Sequence, residues 1–210
     1  MRIKIILQHQ PKIILPFDYQ YAVQAWIYKV LAKANEELAK QLHDHGYAVE
    51  GKTFKLFCFS PWNGINYKII PGKGIQLLED SSELQVSFLI PEVMSNFVMG
   101  LFAGQHHHFY FKSAASFAVQ TSLVEIIQEP NWIDGLQEYR LKSGARFSKN
   151  IEDQKYAQYQ SPSDDGYIDQ FLQNLKNKIH ATGCAMPNYI SPKMSILSEP
   201  KSHKYNIPKD

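Results

Sequence analysis

Histidine clusters are the first feature of this chain that could carry chemistry. One reads Leu42-His43-Asp44-His45-Gly46 and falls where a short helix is predicted to end. The partial negative charge at a helix C-terminus favours a protonated imidazole, so a histidine there can exchange a proton near neutral pH. Two other interpretations stay open. His43 is a surface capping residue, or His43 and His45 bind a metal ion, although no ligand pattern completes such a site.

The remaining histidines are weaker candidates. His106, His107 and His108 are consecutive, and side chains alternate along a strand, so all three cannot face one way. They predict an exposed loop or sheet edge, with a metal site as the weaker alternative. His180 and Cys184 match no known nucleophile–base spacing and are assigned no role. The motifs of phosphate-binding loops, serine hydrolases, zinc proteases and dinucleotide-binding folds are absent from the sequence, which argues against those classes.

The residues before the first cluster predict a strand and two helices. Arg2–Gln8 alternates with β-branched residues and is typical of a strand. Asp18 offers an N-cap for a helix whose apolar residues recur at helical spacing. Asn35 can cap a second, short helix, and Gly46 is a plausible residue for its end.

The residues after the cluster complete a mixed order of strands and helices. Thr53–Ser60 is predicted as one strand with Lys55 pointing away from Phe54 and Leu56. The next elements are a hairpin, a strand, a helix and a last strand: Asn66–Ile70 with Gly74–Leu78, Leu84–Ile90, Pro91–Ala103 and Phe117–Gln128. With the hairpin set aside, the order is the βαββαβ of a ferredoxin-like domain.

The second half of the chain has a weaker pattern. Gly166–Ile179 is predicted as a helix capped by Asp165 or Ser163, and short strands are predicted nearby: Gln137–Leu141, Ala145–Ser148 and Lys193–Leu197. A domain boundary is placed near Glu129, giving domains 1–129 and 130–210.

Composition indicates an ordinary globular chain. It has 210 residues, of which 44% are hydrophobic and 20% charged, and its net charge is +2. A strongly basic coat is absent, so a nucleic-acid site must be a local patch. Two cysteines without close spacing are predicted to be buried. No signal peptide and no apolar run of about 20 residues is found, so a cytoplasmic protein without a membrane partner is expected.

Four short motifs in order resemble the CRISPR-associated endoribonucleases of the Cas-six family. They are a tyrosine-bearing helix ending Ile27-Tyr28, a short helix ending Leu42-His43, the strand Lys55-Leu56-Phe57, and a later run from Tyr159 to Leu175. Each motif alone is weak, but their order and spacing are moderately specific. The resemblance implies an α+β fold of two tandem ferredoxin-like domains, and this chain would leave the second incomplete at its C-terminus.

The resemblance also implies an activity. The family cleaves repeat RNA without a metal or other cofactor, by attack of a 2′-hydroxyl on the adjacent phosphate, which leaves a 2′,3′-cyclic phosphate and a 5′-hydroxyl. Its catalytic tyrosine, histidine and lysine carry over onto Tyr28, His43 and Lys55. The implied partner is the CRISPR repeat transcript (pre-crRNA), with the effector complex and a homodimer as further candidates.

The residue types suit that reaction, which needs a base, an acid and a cation. Tyr28 lies beside the buried stripe of its helix, so its hydroxyl could reach a cleft. Lys55 in an apolar strand would suit a phosphate. The alternatives stay open: Tyr28 is a half-buried aromatic at the edge of the sheet, and Lys55 extends its ammonium to solvent.

RNA binding beyond those residues is assigned to a group of cations in the second half. The family's C-terminal glycine-rich loop is absent from this chain, so binding is expected from other basic residues: Arg140, Lys142, Arg146 and Lys149. A non-cleaving RNA-binding protein of the same fold is the second hypothesis. A metal-dependent enzyme that uses the histidine clusters is the third.

Overall fold

The structure, a computed structural model, describes residues 1–112, 114–129, 138, 147–149 and 158–184. Its helices are α1 (Gln20–Ala34), α2 (Glu36–Asp44), α3 (Pro91–Ala103) and α4 (Tyr167–His180). Its first strands are β1 (Arg2–His9), β2 (Ile14–Leu15), β3 (Tyr47–Val49), β4 (Lys52–Phe54), β5 (Phe57–Phe59) and β6 (Asn63–Gly64). The later strands are β7 (Tyr67–Ile70), β8 (Gly74–Leu77), β9 (Ser81–Phe88), β10 (His106–Phe109), β11 (Phe117–Ile127), β12 (Phe147–Lys149) and β13 (Gln158–Gln160).

The main sheet confirms the predicted ferredoxin-like order. Its strands follow the order β10-β11-β1-β9-β5, each antiparallel to its neighbour, and β6 also pairs with β9. In chain order β1, α1, β5, β9, α3 and β11 form the βαββαβ unit. The predicted hairpin of β7 and β8 is also confirmed, and it joins β2 in a separate three-stranded sheet.

The core lies between the main sheet and the two long helices of this unit. Alternate residues of β1 and β9 are at most 1% exposed: Ile3, Ile5, Leu7, Leu84, Val86 and Phe88. Trp26 of α1 packs edge-on against Phe97 of α3, with ring centroids 5.6 Å apart. Removal of these apolar surfaces from water fixes α1 and α3 on one side of the sheet.

Internal contacts divide the chain into two units. One unit consists of Met1–Gly46 with Lys55–Lys142, and the other of Tyr47–Phe54 with Ser143–Asp210. In the second unit, β3 pairs with β4, β12 pairs with β13, and α4 packs against β3 and β12. The boundary at residue 129 stays a prediction. Among the residues that the structure describes, none of the helices has the length and apolar character to cross a bilayer.

Two predicted helix ends are confirmed and two predicted caps are wrong. The backbone N–H of Leu38 donates to Asn35 Oδ1 at 3.0 Å, which caps α2 as expected. Gly46 ends that helix in the left-handed region, with φ 62°, and its N–H donates to the Gln41 carbonyl at 2.9 Å. The predicted cap of α1 is wrong, because Tyr19 occupies the N-cap position instead of Asp18. The predicted cap of α4 is also wrong, because Gly166 occupies its N-cap position instead of Asp165 or Ser163.

The predicted strand Thr53–Ser60 is interrupted. It consists of β4 and β5, and Leu56 between them has φ 53°, which a regular strand cannot accommodate. The Leu89 N–H donates to the Leu56 carbonyl at 2.9 Å and holds this bend. Lys55 therefore lies in a connection and not in the middle of a strand. The predicted burial of Cys58 and Cys184 is also wrong, since both are exposed.

The helices α1 and α3 approach closely at Gly100. A Cβ atom at this glycine would lie 1.9 Å from the carbonyl oxygen of Val30, so only glycine permits the observed crossing. Tyr28 lies two residues before Val30 on α1, so the crossing also fixes the helix segment that carries Tyr28.

We expect Gly100→Ala to lower the free energy of unfolding by about 1–3 kcal/mol, because the added methyl group must push two packed helices apart. Urea denaturation followed by circular dichroism would measure the change. Ser95→Ala on the exposed side of α3 is the matched control and should change stability by less than about 0.5 kcal/mol. Equal stabilities of Gly100→Ala and the wild type would contradict this account of the crossing.

Candidate active site

Tyr28 is held at the flank of α1 by two aromatic contacts. Its ring meets the His43 ring edge-on, with centroids 4.9 Å apart and an interplanar angle of 81°. Phe57 of β5 also meets the Tyr28 ring edge-on, with centroids 5.7 Å apart and an interplanar angle of 82°. Tyr28 is half-buried, so the ring is fixed by packing while it remains at the border of the core.

The Tyr28 hydroxyl is shielded from solvent. Among the described residues it has no hydrogen-bond partner of acceptable geometry. Burial raises the pKa of the phenol, and the nearby Gln24 side chain opposes that change. The phenol is therefore protonated at neutral pH and can donate a hydrogen bond but not act as a base.

His43 lies in the last turn of α2 and is 66% exposed. Its Nδ1 atom is 2.8 Å from Oδ1 of Asp44. The hydrogen bond with His43 holds the pKa of the Asp44 carboxyl below its usual value. Because an ionised carboxylate can only accept, Nδ1 must carry the proton of this bond. The Nε2 atom of the neutral ring is then left with a lone pair.

Lys55 is connected to the same helix end. Its ammonium group donates to the main-chain carbonyl of His43 at 2.5 Å. That carbonyl belongs to the last turn of α2, where carbonyl groups lack partners within the helix and carry partial negative charge. An ammonium has three donors, so Lys55 keeps donors for another anion.

The structure thus brings Tyr28, His43 and Lys55 together from α1, α2 and the β4–β5 connection. Arg140, Lys142 and Arg146 lie outside the described residues, and Lys149 is described only as part of the backbone of β12. An acid–base imidazole beside an ammonium is suited to proton transfer at a centre where negative charge develops.

The histidines of the second cluster lie elsewhere in the first unit. His107 on the edge strand β10 points inward and is hydrogen-bonded to Thr121 Oγ1 at 3.1 Å, while His106 and His108 are exposed. Within the described part of the chain, no three histidine, cysteine or carboxylate side chains are grouped as metal ligands.

Comparison with known proteins identifies the family. A sequence model described as "CRISPR-associated protein Cas6, N-terminal" matches residues 14–119, which is half of the chain. The chain belongs to the Cas6 family. The CRISPR-associated endoribonuclease Cas6 1 of Methanocaldococcus jannaschii is 33% identical over 101 residues, which cover 48% of this chain and 37% of that protein. The match thus spans little more than a third of this Cas6 relative.

Solved structures agree with this Cas6 assignment at the level of the fold. A Cas6-related protein of Pyrococcus furiosus has a TM-score of 0.68 at 21% identity, covering 90% of this chain and 73% of its own. A structure described as an RAMP protein binding different RNA substrates has a TM-score of 0.64 at 20% identity, covering 90% and 74%. At such identities the likeness shows the fold alone, and it is the tandem ferredoxin-like α+β fold that the sequence predicts.

Sequence reasoning missed three residues that shape the site of this Cas6 protein. Asp44 is next to His43, and neighbouring helical residues do not normally face each other, so no pattern signals their contact. The sequence predicts Phe57 on a strand but gives no signal for its contact with Tyr28. Leu56 carries the left-handed turn, and a leucine gives no signal for that conformation.

The contact with Asp44 predicts the tautomer of His43. We expect the neutral ring to carry its proton on Nδ1 in the wild type, and Asp44→Ala to shift population to the Nε2–H form, because the acceptor at Nδ1 is lost. Long-range ¹⁵N–¹H spectra recorded above neutral pH distinguish the two forms. Glu37→Ala in the first turn of α2 is the control and should leave the His43 signals unchanged. Nε2–H as the major form of the wild type would rule out the proposed contact.

Proposed function

We propose that this Cas6 protein cleaves CRISPR repeat RNA, with His43 as the acid–base group, Lys55 as the cation and Tyr28 as a positioning residue. The observation that supports the proposal most is that Lys55 donates to the carbonyl of His43, the residue whose ring is exposed. The proposal places the scissile phosphate between the exposed imidazole and this ammonium, which is held at the main chain of the same residue.

The proposed reaction needs no group beyond the RNA and these side chains. The 2′-oxygen attacks the adjacent phosphorus and loses its proton to a base, while the bond to the 5′-oxygen breaks and that oxygen gains a proton. The products are a 2′,3′-cyclic phosphate and a 5′-hydroxyl. His43 Nε2, with its lone pair unused by Asp44, is suited to take the 2′-hydroxyl proton, and the imidazolium formed in this way returns a proton to the departing 5′-oxygen.

Lys55 and Tyr28 have different proposed roles. The donors of Lys55 not used by the His43 carbonyl would stabilise the charge on the phosphorane oxygens. Tyr28 acts through its ring, which limits the rotation of the imidazole at 4.9 Å, since its hydroxyl is shielded in this conformation. The same proposal includes RNA binding by basic residues of the second half: Arg140, Lys142, Arg146 and Lys149. It also includes association with the CRISPR effector complex and formation of a homodimer.

His43→Ala is the test of the catalytic assignment. We expect cleavage of a labelled CRISPR repeat transcript to fall by at least about 100-fold, the usual contribution of a general acid–base group. RNA affinity in a filter-binding assay should change little, because the ring carries a proton transfer and not most of the binding.

His45→Ala is the matched control, since His45 follows in the same segment and is also exposed. Full cleavage by His43→Ala would refute the assignment. Tight binding without cleavage by the wild type would favour the alternative, an RNA-binding protein of the same fold without nuclease activity.

Chelation is the test of metal independence. Since His43 and Lys55 supply the proton transfer and the charge stabilisation, we expect the cleavage rate to stay within about twofold in excess EDTA. The products should carry a 5′-hydroxyl, measured by labelling with polynucleotide kinase without prior phosphatase treatment. A rate that EDTA abolishes and added Mg²⁺ restores would contradict the proposed chemistry.

A further inference from the structure

A second surface of the first unit, away from the His43 ring, combines an exposed aromatic ring with cations. Tyr110, directly after the edge strand β10, is 63% exposed. The His108 ring stacks near it, with centroids 5.7 Å apart and an interplanar angle of 27°. The Lys29 ammonium lies 4.9 Å from the centre of the Tyr110 ring. We call Lys29, Lys33, His108 and Tyr110 the edge platform.

The elements that form the edge platform contain no acidic residue. Neither residues 19–34 nor residues 104–122 include an aspartate or a glutamate, while both stretches contain lysines. The pKa of the buried His107 is lowered to about 4, mainly by burial and then by the charges of Lys33 and His106. The positive charges of this surface therefore also act on a buried residue. A chain with a net charge of only +2 therefore has a local positive surface here.

A flat ring beside ammonium groups suits unpaired nucleotides. Bases of any sequence stack on exposed aromatic side chains, and nearby cations pair with the phosphates that connect them. A duplex offers few base faces for stacking, and an acidic peptide offers no flat group for the ring. The geometry therefore favours a single strand of RNA over other anionic ligands.

We propose that the edge platform binds a single-stranded segment of the RNA substrate, with one base stacked on Tyr110 and phosphates paired with Lys29 and Lys33. The inference rests on the proposed function and adds a binding site outside the cleavage centre. Lys33 now donates to the Gly104 carbonyl at 3.1 Å and keeps two donors for a phosphate.

The outer face of α1 can connect this platform with the cleavage centre. Tyr28 and Lys29 are neighbours, so their side chains leave the helix about 100° apart and lie on opposite flanks of its exposed face. Between them the helix presents Ala25 and Ala32, both exposed and both too small to obstruct a strand. A single strand that leaves His43 could therefore cross α1 and reach Tyr110.

Fluorescence anisotropy with 5′-fluorescein oligoadenylate would test the inference. We expect Tyr110→Ala to weaken binding by about 5- to 100-fold, as for loss of a stacked base, and Tyr110→Phe to retain most of the affinity. Tyr67→Ala is the matched control, because Tyr67 on β7 is similarly exposed, at 60%, but lies outside the platform. Circular dichroism would confirm that each variant is folded.

The cations are tested through salt dependence. Lys29→Gln should reduce the slope of log affinity against log salt by about 0.7, the loss of one phosphate contact on a single strand. Wild-type affinity in both Tyr110→Ala and Lys29→Gln would overturn the edge platform. If those variants still cleave repeat RNA normally, the nuclease proposal stands without it, whereas a wild-type protein that binds no RNA would overturn both.

Discussion

The unpaired carbonyl groups at the end of α2 are the constraint on which the candidate site depends. A helix must satisfy its last carbonyls outside its own ladder, and here the Gln41 carbonyl accepts from Gly46 while the His43 carbonyl accepts from Lys55. The same need of the backbone therefore ends the helix and holds the Lys55 ammonium at the main chain of His43. Lys55 directly precedes the left-handed bend at Leu56, whose carbonyl accepts from the Leu89 N–H at 2.9 Å.

The elements with local signals were predictable from sequence. Asn35 and Gly46 mark the ends of α2 because the Asn35 side chain and the left-handed conformation of Gly46 each act within one turn. The alternation of β1 follows from its position at the centre of a sheet that is covered on one side. The interruption between β4 and β5 was not predictable, since it depends on the Leu89 N–H, which is distant in sequence. The contact of His43 with Asp44 was missed for a related reason: it depends on how the helix end bends and not on residue spacing.

Charge provides a second constraint. A net charge of +2 gives this Cas6 protein no general attraction to RNA, so the proposed RNA binding would depend on local surfaces that lack acidic residues. In the first unit, α1 and the β10 edge lack acidic residues. On the central strands, by contrast, charges are paired, as Lys4 is with Glu125. The same edge buries His107 as a neutral ring under lysines. The lysines at that edge, and not His107, thus supply its positive potential.

The exposure of the proposed cleavage centre would make RNA binding at a second place necessary. His43 is 66% exposed, so the protein alone does not exclude water from the reacting phosphate, and electrostatic stabilisation by Lys55 is weak in a wet site. In the proposed reaction the RNA itself would have to cover the imidazole, which requires contacts elsewhere that hold the RNA in one register. Binding energy from nucleotides that do not react can supply that positioning. An aromatic ring on the far flank of α1 is placed to provide it, because the same rigid helix carries Tyr28 on one side and Lys29 on the other.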